Sequence, residues 1–450
     1  MQLHTHMQGN GLKARLLRGG IGSIGIQLLD IALSLLLAVV LARLLGPDGF
    51  GIYTYVFALV SLISLPAKFG MPGLVTRETA RAEVTENWGL MQGVWRWTNR
   101  LALGLSLALA LVSVVIIMLT AGHFTTLQIT TFAWGVAFVP MLALGSLRGA
   151  SLKGLRKVVQ GQLPEKIIRP ALLITFVLLL AAFGKQDVSA DQVMALHVLA
   201  MAIGFGVGAW LLQRARPGQL TLNPRPELHG KAWFKSVVPF AMIAGMRKIN
   251  NSADVLMLGM LGSTSLVGIY RVATRGAKLN ALGVAAINQV TKPYFTRFHN
   301  DGNKQRLQRL ATSSARANFM LALPITLAFW FFGEPIIALV FGQEYVTAYW
   351  PLAILAGAHL LRTASGSLGS LLNMTDNEDA NLKIATASAV CNVVLNLIFI
   401  PIWGMSGAAA ATSSAMLMRR IISWWVVREN LGVDGSILGI NLFRKNTEYQ

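Results

Sequence analysis

Arg271, Thr274, Arg275 and Lys278 stand at i, i+3, i+4 and i+7, which places three cations on one face of a helix. Upstream, Arg247, Asn250, Asn251 and Asp254 repeat the same spacing, with Lys248 beside them. Both groups fall inside apolar stretches. A Lys or Arg near the centre of a bilayer costs about 2.5 to 3.5 kcal/mol even on a lenient insertion scale, so such residues face a bundle interior or a water-filled cavity. Arg247, Lys248, Arg271, Arg275 and Lys278 outnumber the one nearby acid, Asp254. That surplus suits an anion. Arginine offers a fork of donors matched to phosphate oxygens, whereas lysine supplies a point charge. Asn251, Arg362 and Arg43 join these cations as candidate ligands of such an anion. Asp30, on one face with Gln27 and Ser34, and Asp254 are candidates for coupling or charge balance. Local pairing is the alternative for each: Asp254 with Arg247 or Arg275, Asp30 with a basic neighbour, Arg271 reaching the interface.

Nothing in the sequence calls for covalent chemistry. Gly20, Gly22 and Gly25 fit a dinucleotide pattern, but no strand precedes them and they open an apolar span, so the pattern lacks the context that gives it meaning. There is no phosphate-binding loop of the ATPase type and no paired-histidine zinc motif. Cys391 is the only cysteine, so neither a disulfide framework nor a thiolate metal site can form. The expectation is a protein with no cofactor and no metal. His197 and His359 lie in apolar stretches and join Asp30 and Asp254 as groups that could titrate in a coupling cycle.

The elements that must hold these residues are membrane spans. Of the 450 residues, 54% are hydrophobic and only 13% charged, against about 25% charged in an average soluble domain. Apolar runs long enough to cross a bilayer recur at 20–44, 50–68, 94–119, 127–148, 168–184, 191–213, 235–261, 265–290, 316–341, 348–372, 383–402 and 405–427. The first, with no cleavage site of small residues, reads as a retained span. Most of the 39 Lys and Arg residues fall in alternate connections, and the opposite connections hold only Lys185. Positive loops stay in the cytoplasm. Both termini are therefore expected there, and the net charge of +20 is a topology signal, not a nucleic-acid surface.

The stretch at 214–234 carries three prolines and no apolar period, so it is expected to be a linker. The resulting division is a tail at 1–19, a first lobe at 20–213, the linker at 214–234, a second lobe at 235–427 and a tail at 428–450. The halves look related. Leu44-Leu45-Gly46 followed by Gly51-Ile52-Tyr53 returns as Met260-Leu261-Gly262 followed by Gly268-Ile269-Tyr270, and residues 146–154 share a sparse pattern with 367–375. Six spans per repeat imply a pseudo-two-fold axis along the membrane normal. The fold expected is an all-α polytopic membrane protein of about twelve transmembrane helices in two pseudo-symmetric six-helix lobes.

The segment from Leu41 to Tyr53, with Arg43, Gly46-Pro47 and Gly51-Ile52-Tyr53, resembles the opening of polysaccharide and O-antigen flippases of the multidrug/oligosaccharidyl-lipid/polysaccharide (MOP) exporter superfamily. Residues 70–81, Asp254 to Tyr270 and Phe341 to Tyr345 fit the same family. The resemblance implies two six-helix lobes that open alternately to either side, a bacterial inner-membrane location and a polyprenyl-diphosphate-linked oligosaccharide as cargo. It also implies a transporter with no enzymatic activity, acting as a monomer in bilayer lipid, with polysaccharide polymerase and glycosyltransferases of its pathway as partners. A drug or cation antiporter of the same superfamily is the first alternative and would use Asp30 or Asp254. A membrane-embedded glycosyltransferase is the second; it would need large loops with catalytic acids, and the loops opposite the basic ones are short.

Overall fold

The computed structural model describes residues 12–439 apart from 121, 123, 185, 186, 223 and 376. The terminal stretches 1–11 and 440–450 of the two expected tails, and Lys185, lie outside the described residues. Helices and short turns make up the rest, with no strand among the described residues. Seven helical stretches are long and apolar enough to cross a membrane by length and composition. Many large apolar side chains on them face outward, Phe183, Phe331 and Leu339 among them. In water such surface would drive association; on membrane-length helices it is the lipid-facing belt.

The first unit of the chain runs to Lys248 and the second starts at Ile249. The first contains α1 (Leu12–Lys68), α2 (Met71–Val84), α3 (Trp88–Thr120), α4 (Thr126–Val136), α5 (Phe138–Gly154), α6 (Val158–Leu163), α7 (Arg169–Phe183) and α8 (Ala190–Ala215). Helix α9 (Gly230–Leu261) crosses the division, and the second unit continues with α10 (Thr264–Ala277), α11 (Leu282–Asn300), α12 (Lys304–Val340), α13 (Tyr349–Ala364), α14 (Leu368–Asn373) and α15 (Glu378–Leu431).

Two glycines divide the longest helices. Helix α1 has 57 residues and breaks at Gly46 (φ 63°, ψ 178°); α15 has 54 and breaks at Gly404 (φ 55°, ψ −127°). Such backbone angles are essentially confined to glycine because a Cβ would clash. Each helix therefore holds two segments of bilayer length, joined by a kink. Elsewhere the helix starts are written locally. Thr125 and Gln128 form a reciprocal capping box, with Gln128 N–H donating to Thr125 Oγ1 at 3.3 Å and Thr125 N–H to Gln128 Oε1 at 3.0 Å.

The proline-rich stretch expected between the halves packs on the first unit. Glu227 N–H donates to the Gly89 carbonyl at 3.1 Å, and Asn87 Nδ2 donates to a Glu227 carboxylate oxygen at 3.3 Å. The start of α9 stays with that unit too, since Trp233 packs on Trp97 at 5.5 Å between ring centroids. A segment without helical pattern still has to satisfy its backbone polar groups, and this one does so on α3. The division consequently falls inside α9.

The first of the two sequence repeats occupies matching places. Gly46 and Gly262 follow the first span of each unit, and the tyrosines after them, Tyr53 and Tyr270, are both buried. Residues 146–154 end α5, while 367–375 become α14 because Gly366 (φ 74°) breaks the chain after α13.

Candidate functional site

Helix α10 shows the face predicted from its spacing. Val267, Tyr270, Ala273 and Ala277 are buried, whereas Arg271 and Arg275 are half-buried and Lys278, just past the helix, is exposed. Ser263 caps the helix, accepting from Leu266 N–H at 3.4 Å. Tyr270 anchors it, its hydroxyl donating to Asp254 Oδ2 at 2.9 Å, while Val255 N–H donates to Asp254 Oδ1 at 2.9 Å. Asp254 therefore ties α9 to α10. Its counterpart in the first unit is a different pair: the Tyr53 hydroxyl lies 2.8 Å from His197 Nδ1, and Phe57 and Phe138 pack on the imidazole.

A cavity of about 410 Å³ in the second unit opens among α9, α11, α12, α13, α14 and α15. Lys292, Arg362, Arg419 and Arg420 line it, and among the described residues no Asp or Glu does so. Asparagines arrive from five helices: Asn250 and Asn251 from α9, Asn288 from α11, Asn318 from α12, Asn373 from α14, and Asn381 and Asn392 from α15. Four positive charges without a lining acid make a site for an anion. The amides, each both donor and acceptor, match a hydroxyl-rich molecule.

Several bonds hold this lining in place. Asn381 Nδ2 donates to Asn373 Oδ1 at 2.8 Å, and Arg419 Nη2 reaches Asn381 Oδ1 at 3.5 Å. Asn392 Nδ2 donates to Thr412 Oγ1 at 3.2 Å across the kink of α15. Behind the break at Gly366, the segment after α15 is fastened to α12 and α13. Gln308 Nε2 donates to the Asp434 carbonyl at 2.6 Å, Asp434 N–H to Gln308 Oε1 at 2.7 Å, and Ile437 N–H to the Ala364 carbonyl at 2.9 Å. These bonds satisfy backbone groups that the broken helix would leave unpaired. Asn318 is different: it is 1% exposed, and neither of its amide heteroatoms has a hydrogen-bond partner among the described residues.

Of the residues singled out from sequence, Asn251 and Arg362 line this cavity. Arg271, Arg275 and Lys278 share the α10 face, and Arg247 and Lys248 lie on α9 before the division; none of the five is among the lining residues. Arg43 is exposed on α1 in the first unit. Asp30, also on α1, lies with Oδ2 3.9 Å from Lys166 Nζ, each side chain about a third exposed. Lys292, Arg419 and Arg420 escaped sequence reasoning because they were counted with the basic connections; Arg419 and Arg420 stand within the span expected at 405–427, and α11 runs on through Lys292. Asn392 was legible: with Ser388 and Asn396 it forms an i, i+4, i+8 polar row in an apolar span.

A family model described as "Polysaccharide biosynthesis protein" matches residues 40–349. The chain is 23% identical over 394 residues to the probable low-salt glycan biosynthesis flippase Agl15 of Haloferax volcanii, covering 85% of this chain and 77% of that protein. Among solved structures it resembles the lipid II flippase MurJ in an inward closed conformation, with a TM-score of 0.70 and 15% identity over 91% of this chain and 87% of that one. It likewise resembles an inward-facing multidrug resistance MATE family transporter of the MOP superfamily, with a TM-score of 0.73 and 14% identity over 93% and 96%. These likenesses show the fold: a multi-pass, all-helical membrane protein folded like these two transporters.

Proposed function

The chain belongs to the polysaccharide biosynthesis protein family, and we propose that it is a transporter that flips a lipid-linked glycan, carried on polyprenyl diphosphate, across the plasma membrane for surface polysaccharide assembly. The observation that carries the proposal is the cavity of the second unit, where Lys292, Arg362, Arg419 and Arg420 stand among seven asparagines with no acid among the described lining residues. A diphosphate would meet the guanidinium groups through charge-assisted, bidentate hydrogen bonds, and sugar hydroxyls would exchange hydrogen bonds with the amides, Asn318 included. Holding the headgroup in a polar cavity spares it the hydrocarbon, which is the barrier a flippase lowers. The glycan would be loaded from the cytoplasmic leaflet, since the basic connections set both termini there. Alternating access of the two units would then expose it on the far side, and the pathway's polymerase and glycosyltransferases would act before and after.

To Arg271, Arg275 and Lys278, with Arg247, Lys248 and Arg43, we assign contacts made by the headgroup in passage. To Asp254 and Asp30 we assign charge balance or coupling. A drug or cation antiporter is the rival, and it would rest on Asp254. That carboxylate is already held by Tyr270 and Val255 N–H, which favours a structural role.

The test is transport of a polyprenyl-diphosphate oligosaccharide in proteoliposomes, with the Arg362→Gln, Arg419→Gln, Arg420→Gln triple variant beside the parent chain. Each lost charge-assisted bond is worth about 1.5 to 3 kcal/mol. Transport is therefore expected to fall by about a hundredfold or more, with a cooperative thermal unfolding transition showing that the variant is still folded. Unaltered transport in the triple variant would remove the cavity from the mechanism. Transport of organic cations abolished by Asp254→Asn, with no glycan movement in the parent chain, would establish the antiporter.

A further inference from the structure

A second cationic cavity, about 350 Å³, lies wholly in the first unit and belongs to no step proposed above. Arg96 and Arg100 of α3, Arg148 of α5 and Arg216 at the end of α8 line it, again with no acid among the lining residues. Two of these guanidinium groups are pre-positioned. Arg148 stacks on Phe205, 3.2 Å from the ring centroid, and its Nη1 donates to the Phe205 carbonyl at 2.7 Å. Arg216 lies 5.6 Å from the ring of Trp95, whose indole is fixed by its Nε1 donating to Thr79 Oγ1 at 2.8 Å. Arg148 and Arg216 line the same cavity and carry like charges. A bound anion is what would offset those charges.

What leads away from the pocket identifies the anion. On α3, Arg96, Arg100, Leu103, Leu107 and Leu111 follow at i, i+4, i+7, i+11 and i+15, one face that changes from basic to apolar. The three leucines are exposed. On α8, Leu199, Ile203 and Trp210 form a similar exposed row that ends on Arg214, whose guanidinium sits 4.3 Å from the Trp210 ring centroid. Both helices are membrane-length, so each row passes from a hydrocarbon-facing stretch to arginines at the headgroup level. A free phosphate would use the arginines and leave the apolar rows idle.

We propose that this pocket binds the phosphate of an anionic bilayer phospholipid, with an acyl chain lying along Leu103, Leu107 and Leu111. The site is independent of the cargo cavity and does not rest on the cargo assignment.

The experiment is native mass spectrometry of the full-length protein released from phosphatidylglycerol or phosphatidylcholine vesicles. The parent chain should retain phosphatidylglycerol in preference to phosphatidylcholine. Arg96→Gln, Arg100→Gln and Arg216→Gln together should lower that retention by about tenfold or more. These side chains are exposed, so folding should hold, and thermal unfolding checks it. The Arg362→Gln, Arg419→Gln, Arg420→Gln variant of the other cavity should retain phosphatidylglycerol as the parent does. Equal retention of the two lipids, or full retention by the first triple variant, would overturn the proposal. Displacement of the lipid by millimolar inorganic phosphate would also overturn it, because the pocket would then recognise a phosphate and not a lipid.

Discussion

Tyr270 and Tyr53 occupy equivalent places in the two repeats, yet removing their hydroxyls should cost different amounts. Tyr270 is fully buried and donates at 2.9 Å to the Asp254 carboxylate, which is 7% exposed. Tyr53 is 6% exposed and lies 2.8 Å from an imidazole nitrogen of His197. A hydrogen bond to a charged group contributes about 1.5 to 3 kcal/mol and one between neutral groups about 0.5 to 1.5 kcal/mol. Tyr270→Phe should therefore destabilise the protein by roughly 1 kcal/mol more than Tyr53→Phe. The cause can be isolated. In an Asp254→Asn background the acceptor is neutral, so the cost of Tyr270→Phe should drop into the neutral range, leaving a coupling energy of about 1 kcal/mol. The assay is reversible denaturant unfolding of the purified chain in detergent micelles, for the two tyrosine variants and the full Asp254/Tyr270 cycle. If Tyr53→Phe costs as much as Tyr270→Phe, or if Asp254→Asn leaves the cost of Tyr270→Phe untouched, the tyrosine is not anchoring a charged carboxylate. The consequence would reach α10, since this anchor sets how the helix presents Arg271 and Arg275.

Two further outcomes are expected. Asn318→Leu keeps similar volume and deletes two buried polar atoms that have no partner among the described residues; stability should hold or rise by about 1 kcal/mol while glycan transport slows, as unfolding and proteoliposome assays would report. Gly46→Ala forces a Cβ into glycine-only backbone at φ 63° and ψ 178° and should cost about 1 to 3 kcal/mol, whereas Gly104→Ala, with open space around its added Cβ, should be neutral or stabilising by up to about 1 kcal/mol; equal unfolding midpoints for the two would contradict a strained kink.

Local and one-dimensional properties were readable from the sequence alone. Apolar length marked the spans because a bilayer has a set thickness. Helical spacing placed Arg271, Arg275 and Lys278 on one face, and that face is the one α10 leaves unburied. The repeated Gly-Ile-Tyr triplets pointed to the two buried tyrosines. Of the cavity residues, Asn250, Asn251 and Arg362 stood out in the sequence, and Ser388 and Asn392, in a polar row with Asn396, were legible there as well.

Tertiary structure decided the rest. Lys292, Arg419 and Arg420 look like topology charges in a linear count, because they lie near or just beyond the ends of expected spans that face the basic connections. Their helices continue past these residues, and the turn at Gly366, secured by Gln308 and Asp434, brings α13, α14 and α15 around one space. Asp254 and Asp30 were equally open from sequence to pairing or coupling; a tyrosine sixteen residues on and a lysine from another helix became their neighbours. Hydrophobicity and helical period act along a chain and can be read there. Which charges share a cavity depends on contacts between helices far apart in sequence, and those are set when the helices pack.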